Sequence, residues 1–161
     1  AINGMIKAIL SELHEKHIQL VWQTGEREYE NIRSLERNGE VWIGAFIRDM
    51  EYAYAAADIV VCRAGATTLA EITRLGKASI LIPFAAAAAD HQRLNAQVFA
   101  DAGAAMLLLE NEAPTKLLNE ILALVEDVDR RRNIEMRCKA LGNPNAAATI
   151  VQHICEMVRK P

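Results

Sequence analysis

The sequence lacks an excess of positive charge. Its 161 residues carry 18 lysines and arginines against 21 aspartates and glutamates, which gives a formal net charge of −3. Dedicated nucleic-acid-binding proteins usually carry a basic face that neutralises phosphates. The charge balance therefore argues against nucleic acid as a partner and leaves small molecules or other proteins as the expected partners.

Cysteine is scarce, and long apolar runs are missing. Cys62, Cys138 and Cys155 are far apart and odd in number, which matches neither a disulfide framework nor the spacing of a zinc site. We therefore expect a reducing, cytoplasmic setting. No stretch approaches the roughly 18 continuous apolar residues of a membrane span, and no basic-then-apolar leader opens the chain.

What the sequence does have is a repeated alternation of helical and strand-like periods. Short runs rich in Ile, Val and Leu predict strands at about 18–22, 41–46, 58–62, 78–84 and 104–109. Helical spacing is found before, between and after these runs, ending with helices at about 114–127, 129–140 and 145–159. Such alternation predicts a Rossmann-like α/β domain, a parallel sheet with helices on both faces.

The front of the chain departs from this pattern. The first predicted helix begins at Ala1 without a capping residue or a preceding strand, although an α/β unit of this kind normally opens with a strand and a turn that feeds the helix. We therefore expect residues 1–161 to form one domain that lacks its first strand and a glycine-rich turn.

The segment CRAGATTLAEITRLGK, residues 62–77, joins a predicted strand to a predicted helix that ends at a glycine. Ligands of open parallel sheets bind at the carboxyl ends of the strands, where this loop lies. Gly65 permits a tight turn or a close approach to a ligand, and Ala66, Thr67 and Thr68 supply the first free amides of the helix, which favour an anion such as phosphate.

One helical turn further on, Glu71 is placed to accept hydrogen bonds from two sugar hydroxyls, and ribose is the obvious candidate. The alternative interpretation is purely structural. In that case Thr67 or Thr68 caps the helix, Glu71 completes a capping box, and Arg63 is a solvated surface charge. The segment alone leaves both interpretations open.

A second polar cluster follows the next strand, and its members are Asp90, His91, Gln92 and Asn95. Because carboxyl ends of parallel strands share one edge of a sheet, we expect this cluster to lie beside residues 63–71. The alternative here is an N-cap at Asp90, a structural role for His91 and a helix-surface position for Asn95. Trp22 and Trp42 are expected in the core, and Cys62 is expected to be a small buried residue.

Together these motifs resemble the donor-binding half of the MurG family of peptidoglycan N-acetylglucosaminyltransferases. The resemblance is carried by F-I-x-D-M, then A-D-x-V-V-x-R-A-G-A-x-T-x-x-E, a proline, and D-H-Q-x-x-N-A, all within residues 46–105. It implies the C-terminal half of a two-Rossmann-domain (GT-B type) enzyme. That enzyme class moves N-acetylglucosamine from UDP-N-acetylglucosamine to lipid I and so forms lipid II in peptidoglycan synthesis.

The resemblance also implies roles for individual residues. The main chain at Ile47 would contact uracil, Arg63 would lie near the nucleotide, Glu71 would hold the ribose hydroxyls, and Gln92 would read the hydroxyls of N-acetylglucosamine. Residues 65–68 would face the diphosphate and the sugar. The carboxylate pair of a metal site is not evident in the sequence, which fits an inverting, metal-independent transferase with no cofactor beside its donor substrate.

The departures from the family limit what can be expected. Family members carry an acceptor-binding domain with the candidate general base ahead of this one, so residues 1–161 are expected to bind UDP-N-acetylglucosamine without catalysing transfer. The full-length protein would meet lipid I on the cytoplasmic face of the inner membrane.

Five consecutive alanines, 85–89, stand where the family has mixed side chains, so no sugar contacts are predicted for this loop. Two other functions stay open. One is a UDP-N-acetylglucosamine epimerase, which would need acid and base groups around the sugar that the sequence does not offer. The other is a non-catalytic sugar-nucleotide-binding or interaction module.

Overall fold

The computed structural model describes residues 2–87 and 90–159, which form short parallel strands alternating with helices. The strands are β1 (Leu20–Gln23), β2 (Val41–Gly44), β3 (Ile59–Cys62), β4 (Ala78–Leu81) and β5 (Met106–Leu107). The helices are α1 (Ile2–Glu15), α2 (Glu26–Ile32), α3 (Met50–Ala56), α4 (Ala66–Leu75), α5 (His91–Asp101), α6 (Ala113–Glu126), α7 (Val128–Leu141) and α8 (Ala146–Arg159), and a 3-10 turn (Arg33–Leu35) follows α2. The predicted α/β alternation is confirmed.

Within the described residues the strands form two separate parallel sheets. One pairs β1 with β2, with Leu20 opposite Val41, and the other has the order β3-β4-β5. The predicted strand at 78–84 is too long, because β4 ends at Leu81 and Pro83, two residues later, has no amide to donate to a ladder. The strand expected at 104–109 is likewise reduced to two residues.

Two apolar clusters form the core. The first joins the inner face of α1 to β1, β2, β4 and α6, and the second joins Tyr54 of α3 to residues of α4, β4, α5 and α7. All four residues of β4 are buried, as expected for a strand covered on both faces. Fully burying a Leu or Ile side chain contributes about 1.5–3 kcal/mol, so these clusters fix the strands whose carboxyl ends carry the polar loops.

The two tryptophans differ in burial, and the expectation that both lie in the core is wrong for one of them. Trp22 is buried, whereas Trp42 is 45% exposed. Side chains alternate across a strand, and Val41 and Ile43 already take the core face of β2. Trp42 therefore faces the other side, where its strand partner Val21 is also 47% exposed.

The last helix presents an apolar face without cover from other described residues. Its exposed apolar side chains are Ile150, Val151, Ile154, Met157 and Val158. In the part of the chain that the structure describes, no helix has both the length and the apolar character needed to cross a bilayer.

Candidate functional site

The N-terminus of α4 opens toward solvent at the carboxyl end of β3. Its N-cap is Gly65, and no side chain caps the helix. Leu69 is the residue whose amide reaches the Gly65 carbonyl, at 2.9 Å, so the amides of Ala66, Thr67 and Thr68 precede the first i−4 hydrogen bond of α4. Ala66 and Thr67 are exposed, which leaves this end of the helix accessible to an anion.

The capping interpretation of this segment is wrong. Thr67 and Thr68 lie inside the first turn of α4 rather than at its N-cap. Glu71 is the sixth helical residue, whereas a capping box needs its glutamate at the third. The polar residues of this segment are therefore not accounted for by helix capping.

Gly65 is required neither by backbone conformation nor by packing. Its φ is −73°, which any residue adopts, so of the two alternatives for this glycine, a tight turn or a close approach to a ligand, the first does not apply. A Cβ built at Gly65 would meet nothing within 4 Å. The backbone before the α4 amides is therefore uncrowded at Gly65.

Glu71 is exposed and lies on the side of α4 that faces α3. Its Oε2 accepts a hydrogen bond of 2.8 Å from the hydroxyl of Tyr54. Burial, and secondly the Glu71 carboxylate, raise the pKa of Tyr54 well above its ordinary value. Tyr54 therefore remains a protonated donor at neutral pH.

Arg63 connects three loops, so its interpretation as a solvated charge is wrong. One guanidinium nitrogen donates to the carbonyls of Ile82 and Pro83, at 3.1 and 3.0 Å, and the other lies 2.6 Å from a carboxylate oxygen of Glu110. Both charged side chains are 25% exposed. The guanidinium also lies 5.2 Å from the ring centre of Phe84, within the range of a cation–π contact.

Side chains from other elements bind the first four residues of the loop after β4, residues 82–85. Besides the two carbonyls bound by Arg63, the amide of Phe84 donates to Gln92 Oε1 at 3.0 Å, and the amide of Ala85 donates to Glu110 Oε2 at 3.2 Å. The Arg63 guanidinium is the main cause that lowers the pKa of Glu110, and the Ala85 amide adds to it. Residues 82–85 are thus fixed by three side chains.

Sequence reasoning missed Glu110. It follows β5 in the chain, so the rule that placed the other polar loops at one edge of the sheet could have included it. Nothing in the local sequence, however, indicates a partner 47 residues away.

The first residues of α5 lie beside the loop after β3. Asn95 donates to the Ala64 carbonyl at 3.1 Å, so its interpretation as a plain surface residue is wrong. Asp90 stands at the N-cap with a φ of 54°, but its side chain accepts no capping bond and lies 3.8 Å from Arg93. His91 is exposed at the start of α5, and the alanine loop is described only as far as Ala87.

The loop after β2 contains Ile47, whose amide donates to Gln23 Oε1 at 2.9 Å. Gln23 is the last residue of β1, so a strand end fixes the main chain at this position.

In residues 2–87 and 90–159, no group of three or more His, Cys, Asp or Glu side chains could hold a metal ion. Cys62 is half-buried rather than fully buried as expected, and desolvation is the main cause that raises the pKa of its thiol to about 12.

Comparison with known proteins gives one consistent result. The model of the glycosyltransferase family 28 C-terminal domain matches residues 1–154. A UDP-N-acetylglucosamine--N-acetylmuramyl-(pentapeptide) pyrophosphoryl-undecaprenol N-acetylglucosamine transferase from Prosthecochloris aestuarii is 39% identical over 156 residues, covering 96% of this chain and 42% of that protein. The protein of the same name from Syntrophus aciditrophicus is 42% identical over 164 residues, covering 99% of this chain and 45% of its own.

Among solved structures, the crystal structure of Acinetobacter baumannii MurG superposes with a TM-score of 0.71 at 29% identity, covering 86% of this chain and 43% of that one. The chain therefore spans less than half the length of the relatives it matches. By this family match and this shared parallel α/β fold, the chain belongs to the glycosyltransferase family 28 C-terminal domain, the family of the C-terminal half of MurG.

Proposed function

We propose that residues 1–161 are the donor-binding domain of an inverting, metal-independent transferase that moves N-acetylglucosamine from UDP-N-acetylglucosamine to lipid I. The observation that carries the proposal is the open N-terminus of α4, with Glu71 one turn further along the same helix. A nucleoside diphosphate presents this combination, since its anionic diphosphate is joined to a ribose with a pair of hydroxyls. The names of the relatives support N-acetylglucosamine as the sugar.

The diphosphate would bind at the amides of residues 65–68. A helix N-terminus contributes about 0.3–1 kcal/mol toward an exposed anion and up to about 2 kcal/mol in partly buried geometry. Two phosphates therefore need several amides at once, and the bare Cα of Gly65 permits that close approach. When the glycosidic bond breaks, the same amides would stabilise the charge that develops on the departing UDP.

The rest of the donor would follow the edge of the sheet. Glu71 would accept from the ribose hydroxyls, and uracil would contact the main chain at Ile47. Because Gln92 already accepts the Phe84 amide through Oε1, its side-chain NH2 group would donate to the sugar oxygens. Asp90, His91 and Asn95, at the start of α5, would border the sugar.

Transfer would require a second domain. The acceptor hydroxyl attacks the anomeric carbon, the bond from that carbon to the diphosphate breaks, and the hydroxyl proton passes to a general base. We assign that base to an acceptor-binding domain preceding this one, which would also bring lipid I from the membrane surface. Residues 1–161 alone would then bind the donor without transferring the sugar, and a strand with a glycine-rich turn upstream would complete the fold.

Calorimetric titration of the chain with UDP, UDP-N-acetylglucosamine and UDP-glucose tests this proposal. We expect binding of UDP-N-acetylglucosamine in preference to UDP-glucose, strong weakening in Glu71→Ala, and no effect in the control Glu126→Ala, which alters an exposed glutamate at the end of α6. Absence of binding would favour a non-catalytic interaction module. Formation of an epimeric sugar nucleotide during the titration would favour the epimerase.

A further inference from the structure

Tyr54 of α3 and Glu71 of α4 form a hydrogen-bonded pair in which the tyrosine is buried and the glutamate is exposed. Tyr54 is 8% exposed and belongs to the apolar cluster that includes Leu69 and Ile72 of α4. Its hydroxyl reaches out of that cluster to Glu71 Oε2, at 2.8 Å. Packing fixes the position of the ring, so the tyrosine supplies a donor at a defined point on the surface.

Glu71 has no comparable support of its own. Its side chain is exposed, and no salt bridge of the described residues includes it. An exposed glutamate samples many rotamers and loses that freedom when it binds a ligand. The Tyr54 hydroxyl reduces this freedom beforehand through Oε2, and no described residue donates to Oε1 of the carboxylate.

We propose, on the basis of the donor-binding function proposed above, that Tyr54 is a positioning residue that holds Glu71 for the ribose hydroxyls and thereby sets the preference for ribose over deoxyribose. Tyr54 does not touch the nucleotide. It acts through Glu71, by keeping one carboxylate oxygen occupied and the other directed to the ligand. The raised pKa of Tyr54 supports this role, since the hydroxyl stays a donor throughout the neutral range.

The test compares the dissociation constants of UDP and 2′-deoxy-UDP for the wild type, Tyr54→Phe and Tyr52→Phe. Tyr52 lies on the same helix and is 72% exposed, so its phenylalanine variant controls for loss of a tyrosine hydroxyl. For the wild type we expect UDP to bind roughly tenfold more tightly than 2′-deoxy-UDP, the value of about one hydrogen bond to a charged group. In Tyr54→Phe this ratio should fall to about two- or threefold, and in Tyr52→Phe it should not change.

A second comparison asks whether Tyr54 acts through Glu71. In a Glu71→Ala background, Tyr54→Phe should cause no further loss of UDP affinity, because the group that it positions is gone. Tyr54→Phe should remain folded, since water can replace the lost hydroxyl at the exposed carboxylate, and a circular dichroism melt verifies this.

An unchanged ratio in Tyr54→Phe, with or without a lower melting temperature, would overturn the proposal and leave Tyr54 as a structural tie between helices. A further loss in the Glu71→Ala background would overturn it as well. If the wild type binds neither nucleotide, the donor-binding function itself is refuted.

Discussion

The ion pair between Arg63 and Glu110 predicts a measurable loss of stability when its acid is neutralised. Glu110 receives both the guanidinium, at 2.6 Å, and the Ala85 amide, at 3.2 Å. Glutamine in its place keeps the size but offers one acceptor oxygen, so one of these two donors loses its partner. An exposed ion pair is worth about 0–1 kcal/mol, and a hydrogen bond to a charged group about 1.5–3 kcal/mol.

At 25% exposure for both side chains, we expect Glu110→Gln to lower the free energy of unfolding by about 1–2 kcal/mol, between those two limits. For a chain of this length, that corresponds to a fall in Tm of roughly 2–8 °C. The assay is a thermal melt followed by circular dichroism. The matched control is Glu112→Gln, because Glu112 forms a contact of the same 2.6 Å length with Lys116 but has a more exposed side chain, at 37%.

The same pair predicts a dependence on pH whose sign follows from the lowered pKa of Glu110. A depressed pKa contributes stability above the pKa of the unfolded state, about 4.3 for Glu, and that contribution disappears as the pH falls through the folded-state value. The difference between wild type and Glu110→Gln should therefore be constant near neutrality and shrink below about pH 4.3. The reasoning is refuted if Glu110→Gln melts like Glu112→Gln, or if the difference grows in acid.

Three further substitutions or probes follow from the geometry. Gly76 ends α4 at a φ of 67°, in the left-handed region. Gly76→Ala should therefore lower the free energy of unfolding, measured in urea, by about 1–2 kcal/mol, which is the cost of a left-handed non-glycine residue. An unchanged urea midpoint would contradict this. Gly65→Ala should leave the thermal melt nearly unchanged but weaken UDP-N-acetylglucosamine binding in calorimetry, and equal affinity would argue against close approach at this position. A thiol reagent at pH 8 should modify exposed Cys155 quickly, half-buried Cys62 more slowly because its pKa is raised to about 12, and buried Cys138 only after unfolding. Reaction of Cys138 in the native protein as fast as that of Cys155 would contradict its burial.

The order of elements could be predicted from the sequence because hydrophobic period depends on local spacing. The end of α4 at Gly76 is confirmed, since a glycine in the left-handed region is a local signal. The length of a strand was harder to predict, since β4 ends at Leu81, two residues before Pro83. The face of a strand that points to the core was harder to predict than its length. Trp42 lies in the apolar run of β2, and the sequence does not show which of the alternate residues face the core. Packing against α2 and the 3-10 turn places Val41 and Ile43 on the core side.

The candidate site likewise has features that the sequence predicts and features that it does not. The open amides of α4 follow from position in the chain, because strand ends and helix starts are local features. The partners of Arg63 and Asn95 do not, since Glu110 and Ala64 are distant in sequence and meet only after the sheet forms. The contact of Tyr54 could not be predicted either, because an aromatic residue at helical spacing indicates a core position. Tyr54 does belong to the apolar cluster, but its hydroxyl contacts exposed Glu71.

Binding of the donor at the start of α4 is the claim on which the account depends, and amide chemical shifts test it directly. Titration of an isotope-labelled chain with UDP-N-acetylglucosamine should move the amide resonances of residues 65–68 most, with Glu71 and Gln92 next. Perturbations confined to other parts of the chain, or none at saturating donor, would contradict the account.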